Sequence, residues 1–263
     1  MKGAGSLLEV NRRLSRLKGE THELNEKKAA AIGKSGEDQL AKVLDDFPSA
    51  HLLRNLYIPC GNGRTAEIDA LFVTRKGLIA IECKAWGGCL IRGSMRLNDW
   101  SVKATLSAKP VKRYSPVKQA EGHAKTLVRY LGLPVSKRPH NLIVFTSTEA
   151  KLQVPKGTEE FTIIQGTGTL RSAIEKRLKL RNEIFTDSQI QSILEKLEKT
   201  IEPSDKTKKN HVKQAKKAQR RRIAIKESRR KARKRKARGK PKAVIAKRSI
   251  ILLALTDFPY WFL

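Results

Sequence analysis

Cysteine is scarce in this chain: Cys60, Cys83 and Cys89 are the only three, an odd number with no Cys-x-x-Cys spacing. That signals neither a disulfide framework nor a structural zinc site, and it fits a reducing, intracellular setting, read as cytoplasmic. Long apolar runs are missing as well. The N-terminus, MKGAGSLLEVNRRL, turns charged before the apolar core of a signal peptide can form, and no stretch approaches the roughly 20 apolar residues of a spanning helix. Acidic residues are few beside basic ones, 25 against 56. A net charge of +31 over 263 residues is hard to explain as solubility alone and points to a polyanionic partner, nucleic acid ahead of an anionic membrane surface.

What is present divides the chain. An apolar fraction of 39% supports a packed core. The basic surplus is uneven: residues 201–263 hold 22 Lys and Arg against 4 Asp and Glu, and residues 1–200 hold 34 against 21. Residues 6–30 have helix formers without proline and predict a peripheral helix. Ser35 followed by Asp38 resembles a capping box, and Leu40, Val43, Leu44 and Phe47 supply helical apolar spacing up to Pro48. Short apolar runs then predict strands: HLLRNLYIP, AEIDALFVT, LIAIECKAW, and later HNLIVFTS and EFTIIQ. Arg75-Lys76-Gly77 reads as a tight hairpin, and Gly87-Gly88 precedes a further strand at Cys89-Leu90-Ile91. Ser115-Pro116 opens a helix, PVKQAEGHAKTLVRYL, with Val117, Ala120, Ala124, Leu127, Val128 and Leu131 on one face. A last amphipathic helix spans residues 187–201, capped by Asp187 or Ser188. The order of elements gives an α/β fold, a central mixed β-sheet flanked by helices. The division is 1–31, an N-terminal helical extension; 32–201, the folded domain; and 202–263, a highly basic tail, disordered or helical only when bound.

Two of the strand-like runs carry charge where a core would reject it. In GRTAEIDALFVTRKGLIAIECKAW, Glu82 and Lys84 share one strand face. A hairpin loop of two or four residues around Lys76 sets Asp69 opposite either Lys84 or Glu82, so that all three converge; an odd loop without a bulge would separate them. Two neighbouring carboxylates repel, and a divalent cation is the natural means of keeping both ionised at neutral pH. Mg²⁺ suits oxygen ligands of this kind, and Mn²⁺ can replace it. Such a cation activates water and polarises a phosphoryl oxygen, while Lys84 can orient that water or offset developing charge. An isolated Glu-x-Lys is more often an ordinary ion pair. Here it ends a strand that reads as buried on both faces, where unpaired charge is costly. Glu37, three residues before Leu40, is expected to face the sheet, and Gln119 lies in the first turns of its helix, within reach of a phosphate or a metal-bound water.

The ordered set GKSGEDQLAKVL, TAEIDALFVTRKGLIAIECKAWGG, NDW and SPVKQAEGHAKTLVRYL resembles the NERD (nuclease-related) domain of the PD-(D/E)xK nuclease superfamily, from about Gly33 to about Ser147. The resemblance implies a restriction-endonuclease-like α/β core and Mg²⁺-dependent hydrolysis of DNA. It implies Asp69 and Glu82 as metal ligands and Lys84 as the catalytic lysine, with Glu37 and Gln119 completing the catalytic set. The family's usual Asn-Pro pair reads Ser115-Pro116 here, a change of helix cap rather than of chemistry. Trp86 and Trp100 are expected to pack in the core, Cys83 to be a buried thiol, and His123 to be a surface or satisfied core histidine outside the site.

For such an enzyme the tail supplies phosphate contacts without sequence choice, through Lys216, Lys217, Arg220, Arg221, Arg222, Arg229, Arg230, Lys231, Arg233, Lys234 and Arg235. The partner is DNA, with RNA left open, and no membrane is expected. Two other readings remain: a non-catalytic nucleic-acid scaffold with a nuclease-like fold, and a membrane-surface protein using residues 206–263 as an anchor. The weak apolar face at Ile223, Ala224 and Ile225 argues against the last.

Overall fold

The hairpin expected around Lys76 is formed. Strands Arg64–Thr74 (β2) and Gly77–Lys84 (β3) pair antiparallel with Thr74 opposite Gly77, so the loop is the two residues Arg75 and Lys76. Gly77 takes φ +122°, a backbone conformation open to glycine and strained for any residue with a side chain. This computed structural model describes residues 31, 34–45, 47, 51–61, 63–201 and 204–238. The helix expected over 6–30 and the apolar segment 249–263 lie outside the described residues.

Helix α1 covers 34–45, and strand β1, His51–Gly61, lies antiparallel beside β2. After β3 come the short strands β4 (Leu90–Arg92), β5 (Asp99–Lys103) and β6 (Val111–Tyr114), then helix α2, Pro116–Leu131. Strand β7 (His140–Phe145) runs parallel to β3, and β9 (Phe161–Gln165) parallel to β7, with the short β8 (Lys151–Gln153) between them in sequence. Helices α3 (Leu170–Lys179), α4 (Asp187–Glu198) and α5 (Asp205–Arg238) complete the described chain. The main sheet has the order β1-β2-β3-β7-β9 and is mixed, as expected. A second sheet, β6-β5-β4-β8, was not foreseen, because its strands are only three to five residues long and too short to show a period. Its centre, Ile91, Trp100 and Val102, packs on Val117 and Ala120 of α2 and on Ile143 and Phe145 of β7. Trp100 stacks on Phe145 and Trp86 meets the same ring edge-on, so both tryptophans pack as expected.

The sheet is covered on both faces. Leu71, Val73, Leu78 and Ala80 pack against Leu127 and Leu131 of α2 and Ile190, Ile193 and Leu197 of α4. Ala70, Phe72, Ile79 and Ile81 pack against Leu40 and Leu44 of α1 and Leu170 and Ile174 of α3. Each of these leucines and isoleucines contributes about 1.5–3 kcal/mol by leaving water. The close approach of α1 depends on Gly36: a Cβ there would sit 2.9 Å from Ala85 Cβ and 3.1 Å from Thr146 Oγ1.

Helix ends follow local chemistry. Ser115 Oγ accepts from the Lys118 N–H and Pro116 occupies the first turn, as the sequence led us to expect. At α4 the cap is Thr186 rather than Asp187 or Ser188, because a full capping box forms with Gln189. Asp187, one position inside, is left to pair with Arg75 of the hairpin loop. Ser35 is already inside α1, so it does not cap that helix.

Within the basic tail, residues 205–238 form one helix, α5, whose first turns dock on β2, and residues 239–263 lie outside the described residues. His211 Nδ1 lies 2.9 Å from Thr65 Oγ1, and Gln214 Nε2 donates to the Gly63 carbonyl at 2.9 Å. These contacts fix the start of a segment otherwise rich in helix-forming Lys, Arg, Gln and Ala. Among the described residues no helix is long and apolar enough to cross a membrane.

Candidate active site

The two-residue loop settles which of the two registers holds. The ladder runs to Ala70 opposite Ile81, and one further step sets Asp69 opposite Glu82. At that level β1 and β2 both change face. In β1 Asn55 takes φ +51°, a left-handed conformation that asparagine tolerates, between the pairs Arg54–Ala70 and Leu56–Ile68. As a result Ile68 and Leu71, three apart, lie in the same core cluster, and Asp69 occupies the point of the switch.

Glu82 is buried, at 4% exposure, near the end of β3. Lys84 Nζ donates to Glu82 Oε1, and His123 Nδ1 from α2 lies 3.2 Å from Oε2, so each carboxylate oxygen has a nitrogen partner. The Cys83 backbone N–H donates to Asp69 Oδ2 at 2.6 Å. Burial alone would raise the Glu82 carboxyl, but the Lys84 ammonium and His123 outweigh it and hold it down at about 2. Asp69 goes the other way: burial first, then the negative charge of Glu82, raise its carboxyl well above the ordinary aspartate range. Burial also works against the charged form of Lys84, yet the Glu82 and Asp69 carboxylates more than offset it and the ammonium is held more firmly than usual. Cys83, on the opposite face, is pushed up to about 12 by burial, as befits a structural thiol.

The structure thus brings Asp69, Glu82 and Lys84 together. Gln119 lies one helical turn before His123 on the same face of α2. Glu37 is placed differently from expectation. The packing face of α1 is Gly36, Leu40 and Leu44, at intervals of four, and Glu37 stands one residue round from it, exposed. Its neighbour is Glu67 rather than Asp69: partial desolvation, followed by the charges of Glu67 and Asp38, raises its carboxyl.

Two further groups lie beside the site. His123 stands one helical turn after Gln119, a spacing that lets it approach the site, yet the sequence reading makes it a surface or satisfied core histidine; it contacts Glu82 directly. Glu67 accepts from Tyr57 Oη at 2.7 Å and lies 3.3 Å from His211 Nε2 of α5. Simple alternation sets Glu67 on the face of Asp69, whereas the face switch turns it toward Tyr57 and His211, a placement the sequence pattern does not show. The tail residues expected to bind phosphate all lie on α5. Lys216, Lys217, Arg220, Arg221, Arg229, Arg230, Lys231 and Arg233 are exposed, and the Arg222 guanidinium lies 3.6 Å over the Tyr114 ring.

The donor set fits a hard divalent cation. Two carboxylates from adjoining strands share one locality, and burial together with the charge of Glu82 raises the Asp69 carboxyl, a conflict that a cation between them relieves. Among the described residues no group of three or more His, Cys, Asp and Glu side chains is arranged to hold a metal. No curated protein and no solved structure matches the chain. Residues 32–146, which include Asp69, Glu82, Lys84 and Gln119, match the family model of NERD, the nuclease-related domain.

Proposed function

We propose that the protein is a metal-dependent nuclease that hydrolyses DNA phosphodiester bonds at Asp69, Glu82 and Lys84, with α5 binding nucleic acid irrespective of sequence. The observation that carries this reading is the convergence of two carboxylates and a buried ammonium at the end of a strand otherwise packed on both sides. Asp69 and Glu82 would hold Mg²⁺, or Mn²⁺ in its place, and the cation supplies an activated water and a polarised phosphoryl oxygen. His123 keeps the Glu82 carboxylate oriented through Oε2. Lys84, charged at neutral pH, offsets negative charge gathering on the phosphoryl oxygens. Gln119, near the α2 N-terminus, offers an amide donor to a phosphate oxygen.

The course of α5 supports a DNA substrate. It leaves β2 at Thr65 and Glu67, beside Asp69, and reaches Tyr114, the residue before the α2 cap. It carries 18 Lys and Arg against 2 Asp and Glu. Phosphates held along it would be near the carboxylates without any base being read. A scaffold without catalysis is favoured by one observation, the lack of a third metal-binding side chain among the described residues. Incubation of linear, circular and single-stranded DNA with and without Mg²⁺, beside the Glu82→Ala variant, separates the two. Cleavage that needs the cation and Glu82 supports the nuclease; binding without nicking under every condition leaves the scaffold.

A further inference from the structure

On the flank of α2 that faces β7 and β9, away from His123 and Glu82, lies a second polar site. A cavity of about 240 Å³ is lined by Arg138, Asn141, Arg177 and Arg181 together with Glu121, Glu159 and Glu160. Its polar atoms are not satisfied by the protein. The Nε donors of Arg138 and Arg177 and the Oδ1 acceptor of Asn141 are buried with no hydrogen-bond partner. Asn141 itself is 5% exposed, so its orphaned oxygen cannot turn to solvent. Leaving such a group unpaired costs about 1–3 kcal/mol each, and three around one cavity call for an occupant.

Three acids stand among these residues. Glu121 pairs with Lys118; Glu159 offers its backbone carbonyl, accepting from Arg177 Nη2 at 2.7 Å and from the His140 ring; and the Glu160 carbonyl accepts from Asn141 Nδ2 at 3.5 Å. The charges of Arg177 and Arg181 are felt by their neighbours. His140 is lowered to about 4 by burial and then by Arg177 and Arg181, and Arg181 is itself lowered by burial and by Arg177.

We propose that this cavity binds a phosphate monoester, phosphate first, with Arg138, Arg177 and Arg181 on the phosphate oxygens and Asn141 Oδ1 accepting a hydroxyl from the phosphate or its sugar. Planar guanidinium forks match phosphate geometry and give the shorter, charge-assisted hydrogen bonds. The volume suits a phosphate with a pentose rather than a polymer, water occupying about 30 Å³ per molecule. The orphaned acceptor selects between anions: a phosphate monoester, with a second pKa of about 6, keeps a proton to donate at and below that pH and a sugar hydroxyl above it, whereas sulfate has neither, so the comparison with sulfate is made at about pH 6. The site does not depend on the nuclease reading, since it shares no residue with Asp69, Glu82 or Lys84.

The test is thermal unfolding and isothermal titration of the full chain with inorganic phosphate, a nucleoside 5′-monophosphate and sulfate, at matched ionic strength. The expected result is a raised midpoint and one saturable site for phosphate and the monophosphate, with sulfate at least about tenfold weaker. Arg177→Gln and Arg138→Gln, checked for folding by circular dichroism, weaken that site about tenfold or more. Glu82→Gln, and an α5 variant with Arg220, Arg221, Arg229 and Arg230 changed to Gln, retain it. Hydrogen exchange on the unmodified protein gives a second readout, phosphate-dependent protection over 135–141 and 177–181, which stands even where a variant fails to fold. Equal responses to sulfate and phosphate, an undiminished response in Arg177→Gln, or absence of protection in those two segments would overturn the proposal.

Discussion

The end of β3 and the helix α5 use the same charged side chains in opposite surroundings. At Asp69, Glu82 and Lys84 three charges are enclosed, each with fixed partners, and their protonation is set by burial and by one another. On α5 most of the cations stand in water on one long helix, held to the domain by His211, Gln214 and Arg222. Enclosed charges act strongly over short distances and depend on position; solvated ones act weakly, additively and under the control of salt. The first arrangement suits chemistry at one bond, the second suits holding a polyanion of any sequence.

The largest effect expected from breaking this contrast is at the enclosed end. Glu82→Gln should lower cleavage by at least about 100-fold, the scale seen when one preorganised electrostatic group is removed, while substrate binding by α5 persists. A gel-shift and cleavage assay on the same samples checks both halves. Changing Arg220, Arg221, Arg229 and Arg230 to Gln should do the reverse. Affinity for DNA falls and its logarithmic salt dependence flattens by about 0.9 for each phosphate that the helix no longer neutralises, with the turnover at saturating DNA unchanged. A salt titration of binding measures the slope, and a change in saturated turnover would show that α5 belongs to the catalytic centre.

Gly36→Ala tests how the site is held rather than what it does. A methyl group would meet Ala85 and Thr146 where α1 crosses the end of β3, and the expected destabilisation is about 1–3 kcal/mol in urea unfolding despite the better helix propensity of alanine. The smallest effect is a pH dependence remote from the carboxylates. His140, 1% exposed, bonds the Glu159 carbonyl and Thr162 Oγ1, and burial with Arg177 and Arg181 lowers it from 6.5 to about 4. The folded state therefore binds fewer protons than the unfolded one between those values. Its contribution to stability is complete above about pH 6.5 and declines as pH falls toward 4, with a slope approaching one proton. Thermal unfolding from pH 7 to pH 4, compared with His140→Asn, should show that portion of the slope vanish in the variant.

Long, regular elements were open to reading from the chain. The PVKQAEGHAKTLVRYL helix has the bounds its Ser-Pro start and apolar stripe indicate, and the two-residue hairpin follows from Arg75-Lys76-Gly77 between β-branched runs. Three features were not open to it. The second sheet consists of strands too short to display alternation. The position of Glu37 depends on Gly36 rather than Glu37 meeting Ala85, a contact between segments almost fifty residues apart. The contact of His123 with Glu82 required knowing which flank of α2 lies over β3.

Alone, the sequence determined the types of the longer elements, the hairpin register to within two choices, and the identity of three charges at one strand end, because these depend on periodicity and on turn chemistry within a few residues. Only the tertiary structure decided that β2 changes face at Asp69, that Glu67 therefore turns toward Tyr57 and His211, and that Arg138, Asn141 and Arg177 enclose a cavity with unsatisfied polar atoms. Those outcomes arise from packing between distant segments, where the twist of paired strands and the space left between helices are set by all the neighbours at once.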